Sequence, residues 1–167
     1  VVLSLGLGFL FVLVLDHLED TIVSISDIET RLSLKVLAVF PHIRRKKRQD
    51  VARFIEKNKY SQFAEAVAGL RNLLDSPRYA EMNKVVLVMS TQPGEGKSIT
   101  SCSIAISNAQ ARRKTLLVDF DLRRPRLAAI WDIKDMDKEK SFSHNLQSGK
   151  ACDFNELVRR TPVENLD

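Results

Sequence analysis

The side chains best suited to chemistry are Lys97, Ser98, Asp119 and Asp121. Lys97 and Ser98 close the loop Ser90-Thr91-Gln92-Pro93-Gly94-Glu95-Gly96-Lys97-Ser98, and the two aspartates follow the apolar run Leu116-Leu117-Val118. Gly94 and Gly96 let the backbone wrap closely round an anion, because no Cβ intervenes. Successive N–H groups then converge on phosphate oxygens, aided by the positive end of the following helix. Lys97 reaches the β- and γ-phosphates of a nucleotide as a point charge, and the Ser98 hydroxyl is suited to ligate Mg²⁺. Pro93 stiffens the start of the loop. The strict P-loop pattern asks for glycine where this chain has Thr91, so only Gly96-Lys97-Ser98 fits letter for letter. The expected phosphate-binding set is Pro93, Gly94, Glu95, Gly96, Lys97, Ser98 and Ile99.

Asp119 and Asp121 are two apart, which on a strand places them on the same side. In open parallel sheets, ligands bind beyond the carboxyl ends of the strands. Two carboxylates there can order a hydrated Mg²⁺ and accept a proton. On these residues alone, a pair of solvated acids at a turn is the other reading.

Three elements must position this chemistry. Val85-Val86-Leu87-Val88-Met89 reads as a buried strand leading into the loop. Ile99, Cys102, Ile106 and Ala109 mark one face of a helix rich in small residues, closed by Arg112-Arg113-Lys114 at its negative end. Leu116–Val118 reads as a second strand. Together they predict an α/β fold, part of a P-loop NTPase with a parallel sheet flanked by helices.

The remaining segments are expected to play supporting parts. Val1–Leu15 is wholly uncharged and reads as the end of a transmembrane helix; a signal peptide fits poorly, since Asp16-His17-Leu18-Glu19-Asp20 offers no cleavage site. Leu34–Pro41 reads as a short strand or extended segment stopped by proline, and residues 42–59 as a charged linker holding the basic run Arg44–Arg48. That run suits either a solvated linker or contact with anionic lipid. Phe63, Val67, Leu70 and Leu74 recur at helical spacing and predict an amphipathic helix from about Ser61 to Leu74, stopped by Asp75-Ser76-Pro77. Beyond Asp121, the stretch Leu122-Arg123-Arg124-Pro125-Arg126 is basic, with Arg123 or Arg124 facing phosphates, an acidic neighbour or solvent. Residues from Trp131 to Lys140 read as loop, and 155–160 as a short helix. The division expected is 1–15, 16–80 and 81–167.

The chain has 167 residues and a formal charge of +5. It does not begin with methionine, and it reads as a fragment of a longer protein. Cys102 and Cys152 are fifty positions apart, which is no metal-ligand spacing, and reduced thiols are expected. Cys102 is expected to pack as a small apolar residue. No repeat or low-complexity tract occurs.

At this point the sequence resembles the bacterial tyrosine kinases that act as polysaccharide co-polymerases in capsule and exopolysaccharide export. The likeness rests on TQPGEGKS joined to LLVDFDLRRPRL, which is similar to that family's second acidic motif. It is supported by LAVFP and EAVAGLRNLL upstream, and by FSHNLQSGK and RRTPVENL downstream. The resemblance implies a membrane-anchored protein-tyrosine autokinase that uses ATP and Mg²⁺ and regulates polysaccharide chain length. Lys97 and Ser98 would hold the phosphates and the metal, Asp119 would help order the metal, and Asp121 would be the base for a tyrosine hydroxyl. Implied partners are the tyrosine tail of a neighbouring subunit in a homo-oligomer, the membrane and the polysaccharide export machinery, with no nucleic acid. The implied location is the bacterial inner membrane, with residues after about 16 on the cytoplasmic side.

Three departures accompany the likeness. The family's subunit-contact helix carries Glu-x-x-Arg-x-x-Arg, whereas this chain has Glu65, Ala68 and Arg71. No later apolar run ends in aspartate, and no tyrosine cluster follows; Tyr60 and Tyr79 stand apart. The 167 residues alone are therefore expected to have little kinase activity. The other readings are a partitioning-type ATPase of the MinD/ParA class and a catalytically inert membrane-anchored module. The first normally has lysine where this chain has Gln92.

Overall fold

In the computed structural model, the residues described are 6, 8–11, 24–43, 48–80, 85–121, 124–133, 144, 148 and 154–167. The chain forms two units, residues 1–37 and 38–167. In the first, α1 (Ile25–Leu32) is opened by a capping box that no apolar periodicity announced. The Ser24 hydroxyl accepts from the Asp27 N–H at 3.2 Å, and the Asp27 carboxylate accepts from the Ser24 N–H at 3.1 Å. These reciprocal bonds satisfy two amides that the first turn leaves without partners. Ser33 ends the helix in a left-handed conformation. Among the described residues, no helix is long and apolar enough to cross a membrane. Most of the Val1–Leu15 segment lies outside the described residues, so the expected spanning helix does too.

The second unit carries the site. Its helices are α2 (Arg48–Ala52), α3 (Phe54–Lys57), α4 (Gln62–Leu74), α5 (Pro77–Ala80), α6 (Lys97–Gln110), α7 (Leu127–Ile130) and α8 (Phe154–Leu157). α4 is the amphipathic helix expected from the spacing. Ser61 caps it by accepting from the Ala64 N–H, and Phe63, Val67 and Leu70 are buried. Leu74 is only half-buried, at the rim of the stripe.

α6 is the hub: α2, α3 and α4 all pack on it. It buries Cys102, Ser103, Ile104, Ala105, Ile106, Ser107 and Ala109, more than the single face expected. Small side chains permit this, because they let several elements approach the helix closely. Burial pushes the Cys102 thiol up to about 12, with the charges of Asp119 and Glu56 adding to the effect. It therefore packs as a small apolar group and is a poor nucleophile. Arg71 of α4 donates to the Ser107 carbonyl at 3.0 Å and to its hydroxyl at 3.3 Å. The arginine that the resemblance implied for subunit contact thus braces α4 on α6 within the chain.

The core changes three expectations. Residues 42–59 are not simply a linker: α2 and α3 lie there, with Ala52 and Ile55 almost wholly buried. Phe40 packs its ring tilted against Phe63 and Phe54 packs edge-on against it, with centroids 5.4 and 6.1 Å from that of Phe63. Phe40 belongs to the Leu34–Pro41 stretch expected as a short strand or extended segment; the stretch forms no strand, and it contributes this ring to the core. Trp131, expected at the start of a loop, is buried beside Ile130 in the same core. The helix expected at 155–160 forms as α8, ending a turn earlier at Leu157.

Among the described residues, the expected sheet is reduced to one parallel bridge, between Thr115 and Leu166. The Thr115 N–H donates to the Asn165 carbonyl, the Asp167 N–H to the Thr115 carbonyl, and the Leu117 N–H to the Asp167 carbonyl, at 2.9, 3.0 and 2.8 Å. Leu166 is thereby buried. Val85–Met89 forms no strand, and Val85, Leu87 and Met89 are largely exposed. A run that is apolar on both faces is buried only when strands flank it and helices cover it. The described residues supply neither to this run.

Because Ile106 is fully buried at the hub, truncating it leaves a cavity that several helices share. Ile106→Ala is expected to cost about 2–5 kcal/mol. The shift of the urea unfolding midpoint measures it, and an unmoved midpoint would contradict this packing.

Candidate functional site

The loop between residues 90 and 97 turns because two of its glycines adopt a conformation other residues avoid. Gly94 and Gly96 have φ of +100° and +99°. No atom lies within 4 Å of a Cβ built at either position, so the constraint is backbone strain rather than space. Gly96 is the N-cap of α6, and the Thr100 N–H bonds its carbonyl at 2.9 Å. By helix geometry, the amides of Lys97, Ser98 and Ile99 have no earlier carbonyl within α6 to bond. They sit at the positive end of a helix 14 residues long. Ile99 serves such a site only through its backbone, since its side chain packs against the core.

The acidic segment comes to the same place. Lys97 Nζ lies 3.3 Å from Asp121 Oδ2, with both side chains about a third exposed. The structure thus joins the loop lysine to the second aspartate across the 24 positions that separate them in the chain. Burial alternates along the segment: Thr115, Leu117, Asp119 and Asp121 are half-buried, and Leu116, Val118 and Phe120 are exposed. Both aspartates therefore share one side, as a period of two requires.

Asp119 does something that composition alone did not announce. Its Oδ1 accepts from the Asp121 N–H at 3.1 Å. Its Oδ2 accepts from the N–H groups of Arg126 and Leu127 at 2.7 and 3.0 Å. The carboxylate thus ties the basic turn to the start of α7. Asp121 Oδ1 accepts in turn from the Arg124 N–H at 3.1 Å. Arg124 meets the site through its backbone, while Arg123 lies outside the described residues. A short polar side chain followed by a turn is the only sequence signal for such bonds.

Glu95 folds back on its own loop. Its carboxylate accepts from the Thr91 and Gln92 N–H groups at 2.8 and 3.0 Å and from the Thr91 hydroxyl at 2.9 Å. The amide of Gln92, then the Thr91 hydroxyl, hold this carboxyl below the usual carboxylate range, and nearby Lys97 adds to the effect.

The donor set suits a phosphate-bound cation rather than a metal held by protein alone. Among the described residues, no cluster of three or more His, Cys, Asp or Glu could hold a metal ion. Mg²⁺ commonly takes one or two protein oxygens and completes its shell with phosphate and water. Ser98, at the start of α6, and the aspartates of the acidic segment, of which Asp121 meets Lys97, fit that pattern.

No family model matches the chain. It is similar to CapB of Staphylococcus aureus, named as an inferred tyrosine-protein kinase: 33% identity over 115 residues, covering 68% of this chain and 48% of that protein. It is also similar to the tyrosine-protein kinase CpsD of Streptococcus agalactiae, at 38% identity over 84 residues, 50% of this chain and 35% of the relative. The succinoglycan biosynthesis transport protein ExoP of Rhizobium meliloti is 30% identical over 112 residues, 60% of this chain and 14% of the relative. Among solved structures, the chimerical protein CapA2B2 superposes with a TM-score of 0.66 at 24% identity, over 86% of this chain and 58% of that one. That likeness shows the fold, which is P-loop NTPase-like in outline. The chain spans about half the length of CapB and less of the other two relatives. The resemblance carried by TQPGEGKS and LLVDFDLRRPRL is borne out.

Proposed function

We propose, from its kinship with the bacterial tyrosine kinases and polysaccharide co-polymerases, that this chain is the ATP-binding part of a protein-tyrosine autokinase regulating polysaccharide chain length and export. The observation that carries the reading is the approach of Lys97 to Asp121 at the mouth of a loop shaped by two left-handed glycines. Loop amides and Lys97 would hold the triphosphate, while Ser98 and Asp119 would hold Mg²⁺, which would supply neutralisation of the charge on the phosphates. Asp121 takes the proton of an incoming tyrosine hydroxyl. Because Asp119 already accepts from three amides, its part in metal binding is to aim the site while lending one remaining lone pair. The protein works at the bacterial inner membrane, with residues after about 16 in the cytoplasm, where its tyrosine substrate belongs to a neighbouring subunit and its wider partner is the export machinery.

Calorimetric titration of the 167-residue chain with Mg-ATP, beside a phosphotyrosine assay of the full-length gene product, tests this. Expected results are saturable binding by the chain, little transfer by the chain alone, and tyrosine labelling by the full-length product. Absence of nucleotide binding would overturn the reading.

A further inference from the structure

The nucleotide reading counts Glu95 in the phosphate-binding loop, between Gly94 and Gly96, but gives its side chain no task of its own. Glu95 is exposed at the loop surface, where a carboxylate ordinarily points to water. Instead both its oxygens turn back. Oε2 accepts from two consecutive amides, those of Thr91 and Gln92, and Oε1 accepts from the Thr91 hydroxyl. The bonds close a ring around Pro93 and Gly94, the part of the loop that helix α6 does not hold. Thr91 stands where the strict motif has glycine, and it supplies two of the three donors.

We infer that Glu95 is a positioning residue: its carboxylate staples the start of the loop through Thr91 and Gln92, and so holds the left-handed turn at Gly94 ready for phosphate. The inference rests on the nucleotide reading for its consequence, though not for its geometry. The physical reason is entropic. A glycine-bearing loop has many conformations to lose when it closes on an anion, and a loop already held loses fewer. The staple is charge-assisted, since two of its donors are backbone amides facing an ionised acceptor. A glutamate is ionised at neutral pH in any case, and these donors, the Gln92 amide first, hold its carboxyl below the usual carboxylate range. The same negative charge stands near the bound phosphates, so the acceptor geometry favours binding while the charge opposes it. That opposition makes the two contributions separable.

The test uses three variants of the 167-residue chain: Glu95→Ala, Glu95→Gln and Thr91→Val. Two quantities are read, amide hydrogen exchange at Thr91 and Gln92 without nucleotide, and Mg-ATP affinity by calorimetry. Glu95→Ala removes the acceptor and is expected to speed exchange at both amides about tenfold or more and to weaken Mg-ATP binding about five- to tenfold. Glu95→Gln keeps an acceptor for the amides and loses the charge, so exchange stays slow and affinity stays within about twofold of the wild-type value or rises. Thr91→Val loses the hydroxyl alone and falls between. Wild-type exchange rates in Glu95→Ala would overturn the staple. A loss in Glu95→Gln equal to that in Glu95→Ala would also overturn it, pointing to the charge itself acting on a ligand. If the wild-type chain binds no Mg-ATP yet protects both amides, the nucleotide reading fails and the staple stands.

Discussion

Replacing Lys97 with alanine is expected to weaken Mg-ATP binding about 10- to 100-fold, the effect of deleting a charged hydrogen-bonding partner worth about 1.5–3 kcal/mol. The fold should survive the change, because the Lys97 side chain is over a third exposed and its ion pair with Asp121 lies at the surface. The loss falls on the ligand because the helix dipole and loop amides supply partial charges only, whereas Lys97 brings a full one. Lys97→Arg is expected to recover only part of the affinity, since a planar fork does not fit where a compact point charge is needed. Calorimetry on the chain decides it. Binding by Lys97→Ala as tight as wild type would remove Lys97 from the phosphate site and with it the main support for the kinase reading.

The second large effect separates two things that Asp121 does. Without nucleotide, it neutralises Lys97 at 3.3 Å. In phosphoryl transfer, it is proposed to accept the tyrosine proton. Asp121→Asn frees Lys97 and removes a negative charge that opposes the incoming triphosphate. Affinity for Mg-ATP is therefore expected to rise, by about two- to fivefold, the range set by a partly exposed ion pair. Transfer by the full-length product is expected to fall about 100-fold or more, because an amide cannot act as the base. Tighter binding joined to lost labelling is the diagnostic combination. Unchanged phosphotyrosine would remove Asp121 as base. Weakened binding would show that its bonds to Lys97 and the Arg124 amide hold the site together rather than gate it.

The order of the site residues was readable because the chemistry constrains local sequence. A phosphate-wrapping loop needs Gly94 and Gly96 at their positions, and both adopt the left-handed conformation that only glycine takes without strain. The helix Gln62–Leu74 was readable because four apolar residues recur over about three turns under a serine cap. By contrast, α2 and α3 are only five and four residues long and lie among charged neighbours. Too few turns exist there for a period to emerge, and burial of Ala52 and Ile55 depends on α6 arriving from later in the chain. Trp131 was hidden for the same reason: what buries it is the core around α6, while its flanking residues are those of a loop.

By itself, the sequence determined which residues carry charge and hydroxyl at the loop, that two aspartates share a side, and that a helix must follow Gly96. Each of these depends on spacing of a few residues, and local backbone geometry converts such spacing directly into position. Only the tertiary structure decided that Asp121 meets Lys97, that Asp119 clamps the amides of Arg126 and Leu127, and that Leu166 pairs beside Thr115. Those contacts join groups whose separation in the chain says nothing about their separation in space. They form because packing on α6 brings the segments together, and burial favours that arrangement over the many others that the same local pattern allows.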